Sequence, residues 1–506
     1  TNPFLIAEET RTSAALAFVA STTMAAGGPT SKSSGAIVHW LRRGLRLRDN
    51  PALLHAVSLA NRHRLPLLHL YVLRHPPPSS NILRTHFLLE TLSALDTTLR
   101  TRGSRLCLVL TPDPEASVVC KVVEHLHAGH IVYERETAAD AQVRDAAVVE
   151  ALPGYCQAVQ VDGGHTLYDI DDLLEVAGGK APTTMQHFLS VLQDCGEPPE
   201  PQDAPSEMPP SVEDIGVPVH PSVPAMAELG LSLDGYRPRY AGGEEPAQRR
   251  LEEFLSREKG KIAAAFEKPN TSPAEFEDGK QETTALSPYL ALGAMSPRTL
   301  YHAVRAVQKR HKKVSAPPVS LIGQVLWREH FHLMAATVPN FEVMRGNSLC
   351  RQIPWDNDDE ATERWKKWEA AETGYPWIDA LMMQLRKEGF VHHLGRHSLA
   401  CFLTRGDLWV SWERGKETFE RYLVDWDEAL NAGNWMWLSA SAFFSAYFRV
   451  YSPVAFAKRW SAAPKFIRHY LPVLAKVPDK YIFEPWKMPP DIARKAGVFL
   501  GTNYPR

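Results

Sequence analysis

Three groups of residues, all but Trp355 between Gly374 and Pro453, have the types and spacing to do chemistry. The first is HHLGRH, with His392, His393 and His397. His393 and His397 stand four apart and share one face of a helix. Imidazoles titrate near neutrality, so such a pair suits proton donation to a developing oxyanion. The same spacing could grip a metal, but neither an HExxH motif nor a convincing third ligand is present, and no metal is expected. The second group is VDWDEALNAG, where Asp425, Asp427 and Asn431 lie two and four apart, bringing two carboxylates and an amide to one side of a helix or turn. Arg396 could neutralise one acid and points away from the two histidines by helix phase. A buried ion-pair cluster explains this group equally well. The third group is Trp355, Trp409, Trp412 and Trp435. Trp409 and Trp412 have the spacing of a helical turn, for which core packing is the commoner use. Outside this stretch, Thr283, Thr284, Ser287 and Ser296 punctuate TTALSPYLALGAMS, where hydroxyls cap helix starts or hold phosphate oxygens.

Two kinds of element must position these residues. From Ala36, short apolar segments (AIVHW, LPLLHLYVL, RLCLVL, HIVYE and QAVQVD) alternate with amphipathic stretches such as Thr85 to Arg102, whose leucines recur at helical spacing. That alternation predicts an open, doubly wound parallel α/β sheet over 36–165. It contains no GxGxxG turn and no Walker loop, so the sheet alone names no nucleotide. Residues 166–240 read as a linker, because 197–224 are crowded with proline and acids. Helical periodicity then dominates 241–495, followed by a C-terminal segment, 496–506. Residues 1–35 read as a flexible leader. A transit peptide is the rival reading, weakened by Glu8 and Glu9.

The chain has 506 residues, 44% hydrophobic and 23% charged, the profile of a globular protein with more than one large core. No apolar run reaches the ~20 residues of a spanning helix. A net charge of -2 neither supports nor opposes nucleic-acid binding, since a basic groove is easily balanced elsewhere. Six scattered cysteines without a CxxC pair point to a reducing compartment.

Taken together and in order, the blocks GYPWIDALMMQLRKEGFVHHLGRH, VDWDEALNAGNWMW, TTALSPYLALGAMS, LIGQVLWRE, FRVYSP and YIFEPW resemble the cryptochrome/photolyase family, in its (6-4) photolyase and animal-like cryptochrome branch. HWLRRGLRLRDNPAL joins them more loosely. The resemblance covers nearly all of 36–506 and implies an α/β antenna domain before an all-helical FAD-binding domain. It implies that Asn431 faces the flavin, that Arg396 and Asp425 form a salt bridge beside it, that Asp427 contacts it, and that Thr283, Thr284 and Ser287 grip its diphosphate. It turns Trp435, Trp412 and Trp355 into an electron-carrying chain, with Trp409 as a fourth, outer member. His393 and His397 become the pair that contacts a DNA lesion.

Within the family, Gln324 stands where enzymes for cyclobutane dimers carry Glu, and His397 where they carry Met. Lys268, Trp327 and Tyr451 match further lesion-contacting positions of the (6-4) group. The resemblance therefore implies light-driven repair of (6-4) photoproducts in UV-damaged DNA, with a light-signalling role toward transcription or clock proteins as the alternative and cyclobutane repair as a third reading. Lys309, Arg310 and Lys312 are candidates for phosphate contacts. The sequence does not separate a deazaflavin antenna, a folate antenna or none. The chain is expected to act as a monomer in the nucleus, with chloroplast or cytoplasm as alternatives. Leu41, His330 and His332 depart from the family's usual aromatics.

Overall fold

The computed structural model describes residues 35–75, 81–276, 281–444 and 447–505; the leader at 1–34 lies outside them. Five parallel strands, β1 (Ile37–Leu41), β2 (Leu67–Arg74), β3 (Leu106–Thr111), β4 (His130–Glu134) and β5 (Gln157–Val161), form one sheet in the order β3-β2-β1-β4-β5. The helices α1 (Pro51–His63), α2 (Ile82–Arg100), α3 (Glu115–His125) and α4 (Ala139–Ala151) connect successive strands. Central β1 is buried along its whole length, as an interior parallel strand must be, whereas edge strand β5 is half exposed. Asn50 and Asn81 start α1 and α2 by accepting hydrogen bonds from the amides of Leu53 and Arg84.

Strand order reverses between β1 and β4, the point where open α/β sheets leave a crevice at their carboxyl ends. Here that crevice is filled by charge. Arg42 and Arg43 leave the end of β1 to meet Glu136 and Asp145 from the β4 side, and Arg43 continues to Asp427 of the helical half at 3.0 Å.

The remaining helices are α5 (Ile170–Val176), α6 (Met185–Cys195), α7 (Glu244–Ser256), α8 (Lys261–Ala264), α9 (Ser287–Leu292), α10 (Pro297–Gln308) and α11 (Leu321–Thr337). They continue as α12 (Asp359–Ala370), α13 (Pro376–Glu388), α14 (His393–Cys401), α15 (Trp412–Tyr422), α16 (Glu428–Leu438), α17 (Ala463–Tyr470) and α18 (Pro490–Ala496). The stretch read as a linker is not one throughout. Helices α5 and α6 lie within it, and Leu167, Ile170, Leu173 and Phe188 are buried in the helical core. Its proline-rich part has no helix or strand beyond short turns, yet it straps the sheet: Ile215 is buried against it, and Leu67 and His220 bond across to Pro210 and Leu108. Proline blocks regular structure there without preventing apolar side chains from docking.

The two halves share more than a seam. Leu83 and Phe87 of α2 belong to the helical core, and Asn81 donates to the Leu423 carbonyl. Asp49 receives Arg298 at 2.7 Å and also bonds Ser296, the N-cap of α10. Ser296 therefore serves as a cap and a tie between the halves.

Candidate active site

Helices α9, α11, α14, α15 and α16 surround a cavity of about 1560 Å³, counting its open mouth. Of the residues singled out in the sequence, Lys268, Thr283, Thr284, Ser287, Gln324, Trp327, His393, Arg396, His397, Asp425, Asp427, Asn431 and Trp435 all line it. Sites far apart in sequence converge because α14 and α16 pack together and α11 packs on α16.

One wall is charged and well bonded. Arg396 Nη2 meets Asp425 Oδ2 at 2.7 Å while its Nε donates to the Val391 carbonyl, and Ser287 Oγ donates to the same Asp425 oxygen at 2.6 Å. Ser287 is thus engaged with the carboxylate, and Thr284 Oγ1 accepts from the Leu286 amide. Asn431 donates its amide to the Lys416 carbonyl at 3.0 Å. Asp427 caps α16 through the Leu430 amide. Burial alone would raise the Asp427 carboxyl, but His332, Arg43 and Arg328 hold it down at about 2.

The remaining polar residues gather around α14, the helix that also carries Arg396. His392 is the N-cap: its Nδ1 accepts from the Leu394 amide, and its Nε2 pairs with Thr271 Oγ1 at 2.9 Å. His393 and His397 follow with their rings 6.0 Å apart and nearly perpendicular. His397 Nδ1 lies 3.3 Å from the Tyr451 hydroxyl. Trp327 stacks on Trp437 at 4.8 Å, and Trp437 in turn faces His397 edge-on. Trp437 is missing from the sequence-derived set, although NWMW shows it two residues from Trp435. Gln324 Nε2 donates to the Pro318 carbonyl at 3.0 Å. Burial, reinforced by Lys268, pushes His397 down to about 3 and His393 well below its ordinary value, so both rings are neutral at pH 7. Burial and the neighbouring Arg396 bring Lys268 down to about 8.

The tryptophans divide. Trp435 lies in the wall, and Trp412, at the start of α15, is fully buried. A side chain at Gly415 would collide with the Trp435 ring, so glycine is what lets α15 approach it. Trp355 and Trp409 pack at 4.8 Å, and Trp409 is 41% exposed. Trp409 is not on the helix of Trp412, contrary to the helical-turn reading. Ser411 caps α15, and the preceding chain forms a β-bridge to Asp356, with Trp409 at φ 54° and its ring nitrogen bonded to the Pro354 carbonyl. Trp368, fully buried, meets Trp435 edge-on at 6.3 Å, a contact no local motif announces.

Neither His330 nor His332 lines the cavity. His330 packs among Phe188, Trp327 and Phe443, and His332 faces the seam with the sheet domain. Leu41 is buried in β1. Lys309, Arg310 and Lys312 are exposed just past α10.

The cavity suits a large polar cofactor. Four buried polar atoms of its lining residues, Thr283 Oγ1, His393 Nε2, Asp425 Oδ1 and Trp435 Nε1, have no protein partner. Buried polar groups are nearly always paired, so atoms left over in a cavity wall are aimed at a ligand. Residues 321–506 match the model described as "FAD binding domain of DNA photolyase", and 37–206 match "DNA photolyase". The chain is 42% identical over 503 residues to a protein named (6-4)DNA photolyase of Oryza sativa subsp. japonica, an alignment spanning 95% of this chain and 88% of that protein. The chain belongs to the photolyase/cryptochrome family. It is also 41% identical over 484 residues to Cryptochrome-1 of Erithacus rubecula, covering 93% of this chain and 75% of that one. Solved structures agree: the Synechocystis sp. PCC6803 cryptochrome superposes with a TM-score of 0.77 at 25% identity, covering 93% of this chain and 95% of that chain. A bacterial class III photolyase from Agrobacterium tumefaciens gives 0.74 at 26%, covering 94% of each. In this photolyase/cryptochrome chain the cavity therefore belongs to an FAD-binding domain, completed by Lys268 and the 283–291 segment from before the matched region.

Proposed function

We propose that the protein uses blue light to repair (6-4) photoproducts in DNA, by electron transfer coupled to histidine-assisted proton transfer. One observation carries the reading: two imidazoles, one with a buried and unpartnered Nε2, share a cavity with the Arg396–Asp425 pair and the inner tryptophan. The sheet domain gives no reason to choose between a deazaflavin antenna, a folate antenna and none.

Bound FAD would supply the light-driven one-electron chemistry. Arg396, Asp425, Asp427 and Asn431 would hold it, with Thr283, Thr284 and Ser287. Arg396 offers the positive charge that stabilises a reduced, anionic ring, while Asp425 fixes the guanidinium in place. Trp435, Trp412, Trp355 and the exposed Trp409 would form the route by which an electron enters from solvent.

A lesion within duplex DNA reaches such a cavity only by flipping out of the stack. Lys309, Arg310 and Lys312 would hold the flanking phosphates. The Trp327–Trp437 stack offers an aromatic surface for the flipped base, and Gln324 an amide that both donates and accepts. Lys268 brings a positive charge to the same wall. His393 and His397, neutral without substrate, would take up a proton from solvent as the phosphates and the lesion of bound DNA bring negative charge beside them, because a nearby anion favours the imidazolium. His397, held by Tyr451, is assigned the proton donor, with His393 assisting. Such work belongs in a compartment that holds DNA, the nucleus first.

The similarity to Cryptochrome-1 supports a second reading, light signalling to transcription or clock proteins, alone or beside repair. Illumination of the flavin-loaded protein with DNA carrying either lesion separates the readings. Loss of the (6-4) product alone is expected; loss of the cyclobutane dimer alone would make Gln324 a misleading guide, and loss of neither would leave signalling.

A further inference from the structure

A second cluster of chemistry-bearing side chains shares Asp427 with the cavity and extends from it to where the sheet domain meets the helices. His165 follows β5, His332 lies on α11 and Asp427 caps α16; all three are buried, and their ligand-type atoms fall within 4.8 Å of one another. Asp427 Oδ2 is 3.6 Å from His332 Nε2 and 3.7 Å from His165 Nε2. Those separations are long for hydrogen bonds. They are close to the ~3.3–3.6 Å between ligand atoms that each sit ~2.0–2.2 Å from one tetrahedral ion.

Two further observations point to a ligand. His332 is 1% exposed, its Nδ1 is 2.7 Å from Thr137 Oγ1, and its Nε2 has no hydrogen-bond partner. When Nδ1–H donates to Thr137, Nε2 presents a bare lone pair toward a carboxylate, an arrangement that is repulsive unless a cation lies between them. A hydrogen-bonded outer partner that fixes ring and tautomer in this way is the usual support of a metal-bound histidine. Moreover, His165, His332, Thr137 and Asp427 line a small pocket with no room for a water molecule, in which the Glu428 Oε2 atom is also unpartnered. Water cannot satisfy these atoms; a bare ion can.

We propose that His165, His332 and Asp427 bind a divalent first-row transition-metal ion of the zinc type, clamping the sheet domain to the helical domain behind the cavity. Two imidazoles and a carboxylate are the donors such ions prefer. These are not the histidines of HHLGRH, whose sequence offered no third ligand. Arg43 and Arg328 are the competitors: Arg43 donates to Asp427 Oδ2 at 3.0 Å and shares its charge with Glu136, and Arg328 Nη2 lies 3.3 Å from His165 Nδ1 and 3.5 Å from its Nε2. The simpler arrangement for the same atoms is a weak Nε2–H contact from His332 to Asp427, with Arg43 as the cation bonded to that carboxylate.

The flavin-loaded, full-length protein, stripped with EDTA, is titrated with Co²⁺ alone and, separately, with Zn²⁺. Expected are one equivalent bound, ligand-field absorption to the red of the flavin bands, and a higher melting temperature with Zn²⁺. Thr137→Val removes only the outer partner and should weaken Co²⁺ binding ~10–100-fold. His332→Phe should weaken it more while retaining flavin. Absence of Co²⁺ bands and of any melting shift in the unaltered protein would overturn the proposal, as would unchanged affinity in both variants. Should His332→Phe not fold, the unaltered protein and Thr137→Val still decide.

Discussion

Two parts of the cavity lining are built on opposite terms. Around Arg396 a guanidinium, one oxygen of Asp425 and the Ser287 hydroxyl bond to one another, and the free Asp425 Oδ1 and Thr283 Oγ1 stand beside that fixed ion pair. At the histidines His392 is fully used as a cap, whereas His393 is left with an unpartnered nitrogen and His397 with a long contact to Tyr451. Under the proposed function the labour divides accordingly: the fixed ion pair would hold a resident group, and the loosely held imidazoles would meet a transient one. Leaving polar atoms unpaired costs stability, of order 1–3 kcal/mol each. That cost is reasonable where a substrate completes the bonding.

The contrast is easiest to break at the ion pair. Asp425→Ala strands Arg396 against a buried face, and losing one partner of a buried pair costs about 3–5 kcal/mol. The expected result is loss of the blue absorption band and a lower melting temperature. Trp435→Phe comes next. It should leave flavin bound yet abolish photoreduction, followed by absorbance under blue light, whereas Trp409→Phe at the exposed end should slow it less. Beside the histidines, Lys268 loses its charge as pH rises through about 8. DNA affinity measured by titration should decline across that range, and Lys268→Met should be weaker at pH 7 and flat. The smallest effect is on acid stability. His392 and His397 titrate at about 3 in the fold against about 6.5 in an unfolded chain. The unfolded state therefore binds more protons between those values. Their contribution is whole above about 6.5 and is lost as pH falls toward 3, so His397→Asn should flatten the melting temperature's decline in that window.

Much of this was legible in the sequence. The five strands stand within two residues of where the apolar runs put them, because interior parallel strands are continuous apolar runs between turn signals. The resemblance named residues that do share one cavity. Other features escaped for physical reasons. Arg43 is one of two adjacent arginines after β1, and its partner lies 384 residues on. Trp368 reads as one more helical aromatic until the fold sets it against Trp435. Trp409 carried the spacing of a helix but sits outside one, since Ser411 caps α15 after it. His332, a departure from the family's aromatics that the sequence leaves open between packing and the lesion pocket, faces the domain seam.

Under the proposed function His393 and His397 act on substrate, and the Arg396–Asp425 pair on the cofactor. The most direct test is a single-turnover assay of (6-4) photoproduct loss under blue light, comparing the unaltered protein with His397→Ala at equal flavin content. The account predicts equal flavin binding and photoreduction, with repair slowed by the ~10²–10⁴-fold typical of a lost proton donor. Repair at an undiminished rate in His397→Ala would contradict it.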